Sequence, residues 1–197
     1  MDEENQAGAA HEPGAGLAAL LARAERAGRQ APPVERWHPA RCGAIDMVIR
    51  ADGSWMHEGA PIRREALVRL FSSVLRKDED GTTYLVTPAE MLSITVEDAP
   101  FLAVEMNRAT RGCEPALTFR TNVGDVVEAG PDHPLRFPAA GGAFRPYLHV
   151  RGRLEARLTR PLALELADCI EWEGEAAFIR SRGARFPLPP EAFADHG

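Results

Sequence analysis

Lysine is almost absent from this chain, and long apolar runs are missing altogether. Of the 23 basic residues only Lys77 is a lysine, and the 29 acidic residues leave a net charge of −6. A general nucleic-acid binder must neutralise many phosphates, so this charge argues against general nucleic-acid binding, although it leaves room for one local basic patch. No stretch reaches the roughly 18 apolar residues of a membrane-spanning helix, and we therefore expect no membrane span.

Cysteine is also scarce, and its spacing excludes two common uses. Cys42, Cys113 and Cys169 lie far apart, so no Cys-x-x-Cys pair exists to hold zinc or to exchange electrons. An odd number of cysteines is typical of free thiols in a reducing compartment. The acidic start, residues 1–4, has the wrong sign for a signal peptide, and we predict a cytoplasmic protein.

Motifs for catalysis and for metal binding are missing as well. The chain has no Gly-x-Ser-x-Gly elbow, no His-Glu-x-x-His pair and no Gly-Lys-Ser/Thr phosphate loop. One metal-like cluster matches no known ligand spacing; it consists of Asp125, Glu128, Asp132 and His133. We therefore predict no metal, no cofactor and no catalytic residue, and an enzyme is only our third functional hypothesis.

What is present is a pattern of two halves behind an N-terminal arm. We divide the chain into the arm (1–40), a first domain (41–99), a second domain (100–190) and a tail (191–197). The arm offers few large apolar side chains, apart from a short helix predicted over residues 17–29. We therefore predict that the arm is mobile.

The two halves show the same order of local elements. In the first, a hairpin around Asp52-Gly53 precedes a helix over residues 62–75, whose apolar side chains recur with a 3.6-residue period. In the second, residues 147–180 repeat this order of hairpin, helix, acidic glycine turn and strand. The sequence thus predicts an α+β protein of two related small domains, each an antiparallel sheet with one packed helix.

Four segments carry a resemblance to a known family. They are DGSWMHEGAPI at 52–62, VEDAPF at 96–101, FRTN at 119–122 and PYLHVRGRLEARL at 146–158. Over about residues 41 to 190 the chain resembles a proteobacterial family known only as a domain of unknown function. The resemblance implies a duplicated two-domain core, a second domain that superficially looks like a pleckstrin-homology fold, and an interdomain cleft for a nucleotide-like ligand in signalling.

The segment 147–158 holds most of our candidate ligand-binding residues. With the arginine just before it, these are Arg145, Tyr147, Arg151, Glu155 and Arg157. One uninterrupted strand would place the polar side chains on one face, whereas a hairpin turning at Arg151-Gly152 would divide them; the repeat favours the hairpin. The arginines then offer forked donors to a phosphate or carboxylate, or they form a solvated face balanced by Glu155. If they bind a ligand, we expect them to contribute little to folding.

Three further candidates lie elsewhere in the chain. Trp55 and His57 are two residues apart on one strand face, where an indole beside an imidazole could stack a base. Alternatively, Trp55 packs against the neighbouring helix. Asn122 either reads a base with its amide or forms the turn before Gly124.

Two functional hypotheses from different classes follow. The leading one is a non-enzymatic ligand-binding or regulatory module, with a nucleotide-like or phosphorylated small molecule bound between the halves. The alternative is a protein–protein interaction module of the pleckstrin-homology-like type. A cavity at the domain junction, lined by arginine and aromatic side chains, would favour the first hypothesis. A shallow junction with an exposed apolar groove on the second sheet would favour the second.

Overall fold

The computed structural model describes residues 32–139 and 144–190. Within these ranges the chain forms two six-stranded sheets, each with one α-helix, and a separate three-stranded sheet. One apolar core runs through both large sheets. The predicted helix over residues 17–29 and the predicted tail at 191–197 lie outside the described residues.

The first six-stranded unit consists of one sheet and one helix. Its strands are β1 (Arg41–Ile49), β2 (Trp55–His57), β3 (Ala60–Pro61), β4 (Leu75–Lys77), β5 (Thr83–Val86) and β6 (Glu90–Val96). The helix α1 (Glu65–Ser73) lies between β3 and β4 in the chain. The predicted hairpin around Asp52-Gly53 is confirmed, with Met47 opposite His57 and Ile49 opposite Trp55.

The second sheet and the elements that follow it complete the described chain. The strands of this sheet are β7 (Phe101–Arg111), β8 (Glu114–Thr121), β9 (Val126–Glu128), β10 (Leu135–Arg136), β11 (Tyr147–Arg151) and β12 (Leu154–Leu158). It curls into half a barrel. The helix α2 (Arg160–Ala167) follows, and then the small sheet of β13 (Ile170–Glu173), β14 (Ala176–Ser181) and β15 (Ala184–Pro187).

The two large sheets share one strand order, and both are mixed rather than antiparallel. The order in the first sheet is β3-β2-β1-β6-β5-β4, and in the second it is β9-β8-β7-β12-β11-β10. In each sheet, the strands that come first and last in the chain, β1 and β6 or β7 and β12, lie side by side at the centre and pair in parallel. The prediction of two antiparallel sheets was therefore wrong, because this central pairing joins strands that are distant in sequence and no local turn announces it.

The residues that correspond between the halves also differ from the prediction. Strand order matches residues 41–96 with residues 101–158, whereas local element order suggested 45–87 with 147–180. The helix α1 lies inside the first six-stranded unit, but α2 follows the second unit. The sequence assigned the residues of β13 to a turn and left those of β15 unassigned, but both strands belong to the small third sheet.

The segment 147–158 forms a hairpin, as the repeat favoured. His149 pairs with Glu155 and Arg151 pairs with Leu154. The turn residues are Gly152 and Arg153, one position later than predicted. Gly152 has a φ of +53°, a conformation that glycine adopts at little cost.

The helix α1 is shorter than its apolar pattern predicts. Near its end the hydroxyls of Ser72 and Ser73 donate to the carbonyls of Arg69 and Leu70, at 2.8 and 2.7 Å. These bonds offer the chain an alternative to further helical turns. The apolar period of residues 62–75 puts Leu70 and Phe71 at the centre of the apolar face, and from it we predict that both are fully buried. Phe71 is buried, but Leu70 remains partly exposed, which corrects that prediction.

Residues 32–40, which the sequence assigned to the arm, pack against the first sheet. Val34 belongs to the core. The buried Arg76 of β4 donates to the carbonyl oxygens of Val34 and Trp37, at 3.2 and 2.8 Å, and pairs with Asp78. No helix in the described ranges is long and apolar enough to cross a lipid bilayer. Cys42, Cys113 and Cys169 are free thiols.

Candidate functional site

The β11–β12 hairpin brings two of the predicted site residues to the linker between the two large sheets. Tyr147 donates its hydroxyl hydrogen to Asp98 Oδ1 at 2.7 Å. The Arg157 guanidinium donates through Nη2 to the carbonyl oxygen of Ala51 at 2.6 Å. Its Nε lies 2.8 Å from Asp98 Oδ2, within ion-pair distance but not aligned for a hydrogen bond. Arg157 thus joins the second sheet to the β1–β2 turn of the first.

Arg151 makes a second bridge between the two sheets. Its Nη1 donates to Asp125 Oδ2 at 2.8 Å, and its Nη2 donates to the carbonyl oxygen of Ser72 at 2.6 Å. The guanidinium carbon lies 5.0 Å from the centre of the Phe101 ring. Because Ser72 is in the last turn of α1, the guanidinium donates to one of the last carbonyls of the helix, at the negative end of the helix dipole.

Two other predicted residues lie close by but differ in their contacts. Glu155 accepts two hydrogen bonds from Arg136, at 2.8 and 2.6 Å. The same guanidinium lies 4.4 Å from the centre of the Tyr147 ring and covers it. Arg145 is exposed and makes no hydrogen bond or ion pair with any described residue.

The remaining three candidates have structural partners. Trp55 is 2% exposed and stacks on Phe71, with ring centres 6.2 Å apart, so its ring is covered by the neighbouring helix. His57 donates from Nδ1 to the carbonyl oxygen of Asp46 at 2.8 Å. Asn122 accepts at Oδ1 from the backbone N–H of Leu102 at 3.0 Å, which fixes the end of β8 against β7.

The β1–β2 turn reaches the second sheet directly. Gly53 has a φ of +82°, and a Cβ there would lie 2.8 Å from Leu102 Cδ1 and 3.0 Å from Asn122 Nδ2. Next to it, the backbone N–H of Ala51 donates to Glu97 Oε2 at 2.9 Å. The absence of a side chain at Gly53 therefore permits the close approach of the two sheets.

The environment of Tyr147 changes its acid–base behaviour. Burial raises the pKa of the Tyr147 hydroxyl above its usual value, and the hydrogen bond to the Asp98 carboxylate raises it further. The neutral hydroxyl is therefore the form that this site stabilises.

A cleft of about 310 Å³ lies beside this cluster, and Asp98 belongs to both. Its lining residues include Lys77, Thr82, Thr83, Ile94, Thr95 and Asp98. We call it the Lys77 cleft. In the described ranges the side-chain ammonium of Lys77 has no hydrogen-bond or ion-pair partner, although most arginines near the junction are paired. No motif in the sequence predicts this cleft, and its one sequence signal is the chain's single lysine.

A second cavity of about 390 Å³ lies at the other end of the second sheet. Its charged lining residues are paired: Arg180 with Glu171, and Arg108 with Asp168 at 3.9 Å. Burial raises the pKa of the Cys169 thiol at its wall, which lowers the reactive thiolate fraction. In the described part of the chain no group of three His, Cys, Asp or Glu side chains is placed to hold a metal ion.

Comparisons with known proteins identify relatives over most of the chain. The model for the N-terminal domain of DUF1285, a domain of unknown function, matches residues 32–99, and the model for its C-terminal domain matches residues 100–188. No protein with a curated description matches.

Two crystal structures of similar proteins are known. A DUF1285 family protein from Silicibacter pomeroyi DSS-3, at 2.50 Å resolution, is 45% identical with a TM-score of 0.77; the match covers 86% of this chain and 93% of that one. A DUF1285 family protein from Shewanella baltica OS155, at 1.40 Å resolution, is 25% identical with a TM-score of 0.50, over 62% of this chain and 90% of that one.

Proposed function

Since the chain belongs to the DUF1285 family, whose function is unknown, we propose its function from the junction between its two sheets. It is a non-enzymatic binding module that holds a small anionic molecule in the Lys77 cleft. The shared strand order also leads us to infer that the two six-stranded units arose by duplication.

The observation that carries this proposal is the Lys77 ammonium, which lies at the wall of a cleft and pairs with no described residue. Ion pairs already engage Arg151, Arg153 and Arg157 nearby, with Asp125, Glu79 and Asp98 as their partners. An anion that reached those arginines would have to displace a carboxylate. At Lys77 it meets a charge for which no described residue competes, so binding there loses no existing ion pair.

The position of the cleft gives the module a means of regulation. Asp98 lines the cleft and also receives the contacts of Tyr147 and Arg157, which hold the second sheet against the first. A ligand beside Asp98 therefore changes the electrostatic environment of the residues that join the sheets. We propose that ligand binding stabilises the joined arrangement and that this is the signal a partner detects.

A thermal-shift titration tests the binding function. Inorganic phosphate and a panel of nucleotides and phosphorylated metabolites are titrated against the full chain, and at 100 times its Kd a ligand stabilises by about 2.7 kcal/mol. Lys77→Gln should remove the shift. Arg63→Gln, which removes the same charge from an exposed residue outside the cleft lining, should retain it. No shift with any compound, or a shift that Lys77→Gln leaves intact, would overturn the proposal.

Two exposed apolar side chains favour protein binding as a second candidate function. Leu164 on α2 is 64% exposed and Trp172 on β13 is 58% exposed. Exposed apolar surface often marks a contact with another protein, and these two side chains lie on consecutive elements of the chain. In this proposal the second domain serves as a pleckstrin-homology-like interaction module. Leu164→Ser with Trp172→Ser should then abolish a partner's recovery by pull-down, whereas Lys77→Gln should not.

A further inference from the structure

We infer the chemical class of the ligand of the Lys77 cleft: a small phosphomonoester with hydroxyl groups and no aromatic ring. This inference rests on the proposed function. Three observations carry it, namely the polar residues of the lining, the lack of an available aromatic surface, and the size of the cleft.

The first observation is the type of polar residue that lines the cleft. Thr82, Thr83 and Thr95 line it with Lys77, and their hydroxyls make no hydrogen bond with another described residue. Thr83 lies directly opposite Lys77 in the β4–β5 pair, so both side chains are on one face of the sheet. A hydroxyl group donates to an anion's oxygen and accepts from a ligand hydroxyl equally well.

The number of acceptor oxygens favours a phosphoryl group over a carboxylate. Asp98 is the acidic residue of the lining, and its carboxylate pairs with Arg157 at 2.8 Å. The Lys77 ammonium pairs with no described residue. A phosphoryl group offers this ammonium and the neighbouring hydroxyls three terminal oxygens, whereas a carboxylate offers two.

The second observation concerns aromatic rings. A nucleobase is held by stacking on an aromatic face, yet the cleft lining contains aliphatic side chains such as Ile94 and Val96 and no aromatic ring. Trp55 and His57, which the sequence suggested for stacking, do not line the cleft. Trp55 and the Tyr147 ring of the junction are also already covered. Phe71 stacks on Trp55, and Arg136 lies over Tyr147. A nucleobase would therefore gain little from this site.

The third observation is size. The cleft encloses about 310 Å³, near the lower limit of roughly 300 Å³ for pockets that hold small molecules. A phosphorylated sugar of three to five carbons suits this volume better than a dinucleotide.

Calorimetric titration with matched probes tests this inference on the full chain. Ribose 5-phosphate, AMP and D-ribonate differ in the presence of a base and in the nature of the anion. We expect ribose 5-phosphate to bind at least as tightly as AMP and at least tenfold more tightly than D-ribonate. Lys77→Gln should abolish binding, and Thr83→Val, close in shape to the native residue, should weaken ribose 5-phosphate at least fivefold.

The outcomes separate this inference from the function on which it rests. If AMP binds tenfold more tightly than ribose 5-phosphate, or D-ribonate equals it, and Lys77→Gln still abolishes binding, the ligand class is wrong and the binding function stands. If no probe binds in a Lys77-dependent way, both are wrong. Circular dichroism of Thr83→Val and Lys77→Gln must match wild type, so that lost binding is not lost folding; if Thr83→Val unfolds, Thr95→Val takes its place.

Discussion

Asp98 shows how much one side chain contributes to this junction. Its carboxylate accepts the Tyr147 hydroxyl hydrogen, pairs with Arg157 and lines the Lys77 cleft. It comes from the linker between the sheets rather than from a strand. The sequence placed it in a segment shared with the resembled family but gave no reason to select it, since an aspartate before Ala99-Pro100 is also an ordinary turn residue.

The hydroxyl of Tyr147 should make stability depend on pH in the alkaline range. Because its pKa is raised in the folded chain, its contribution is complete below the unfolded value of about 10 and is lost as the pH rises through the folded value. Urea unfolding from pH 8 to 11 should therefore show a steeper loss of stability for wild type than for Tyr147→Phe. At neutral pH the variant should lose about 1.5 kcal/mol with its hydrogen bond to a carboxylate. Parallel curves for the two proteins would contradict this prediction.

Single arginines illustrate what a sequence cannot supply. The repeat predicts that the arginines of 147–158 lie at a hairpin next to the other half, but the partner of a guanidinium depends on residues distant in the chain. Ser72 and Ala51 contribute backbone carbonyls, which carry no residue-specific signal. Whether an arginine binds a ligand or the protein itself was therefore undetermined until the two sheets were placed together.

At the scale of elements, two neighbouring residues of the α1 helix, Leu70 and Phe71, differ in burial although the apolar pattern is the same for both. Phe71 is 1% exposed and stacks on Trp55, whereas Leu70 is only partly buried. Phe71→Ala should cost about 3–5 kcal/mol. Leu70→Ala should cost about 1 kcal/mol, since only part of its side chain leaves the core. Chemical denaturation of both variants measures the difference in the free energy of unfolding. Equal losses would show that our assignment of the buried face of α1 is wrong.

Elements held by local signals were predicted well, and those held by distant pairing were not. The Asp52-Gly53 hairpin and the 147–158 hairpin follow from turn chemistry, and both helices follow from periodicity. The parallel pairs β1–β6 and β7–β12 join strands from opposite ends of each unit. Residues on such strands alternate in the same way whether their neighbour is parallel or antiparallel, so direction could not be deduced.

For the whole molecule, two glycines provide a matched test of how closely the sheets approach. Gly53 and Gly59 both have positive φ, +82° and +75°, but a Cβ at Gly59 would meet no atom within 4 Å. Alanine at either position would be held in the left-handed backbone conformation, which costs a residue with a Cβ about 1–2 kcal/mol. Gly53→Ala should cost about 1–2 kcal/mol more, because its Cβ would press on Leu102 and Asn122. Equal losses would mean that the junction yields without cost.

The arginine bridges should make the two sheets unfold as one unit. Arg151 joins the second sheet to a backbone carbonyl of α1, and Arg157 joins it to a backbone carbonyl of the β1–β2 turn, at 2.6 Å in both cases. Their side chains are 26% and 23% exposed. A charged donor lost at such a site costs about 1.5–3 kcal/mol, so the Arg151→Gln/Arg157→Gln variant should be destabilised and should lose cooperativity. This differs from our expectation from sequence, in which the two arginines contributed little to folding.

Urea unfolding followed by Trp fluorescence and by circular dichroism measures this coupling. Wild type should give coincident transitions, and the double variant should give separated ones with a smaller m-value for each, because each transition exposes less surface. Arg136→Gln is the matched control: it removes the same charge from a pair, Arg136 with Glu155, that lies within the second sheet, so its transitions should stay coincident. Coincident transitions in the double variant would show that the remaining contacts, among them Tyr147 with Asp98 and Arg153 with Glu79, hold the sheets together without the two arginines. The sheets would then stay joined whether or not Arg157 pairs with Asp98, and the regulatory part of our proposal would fail.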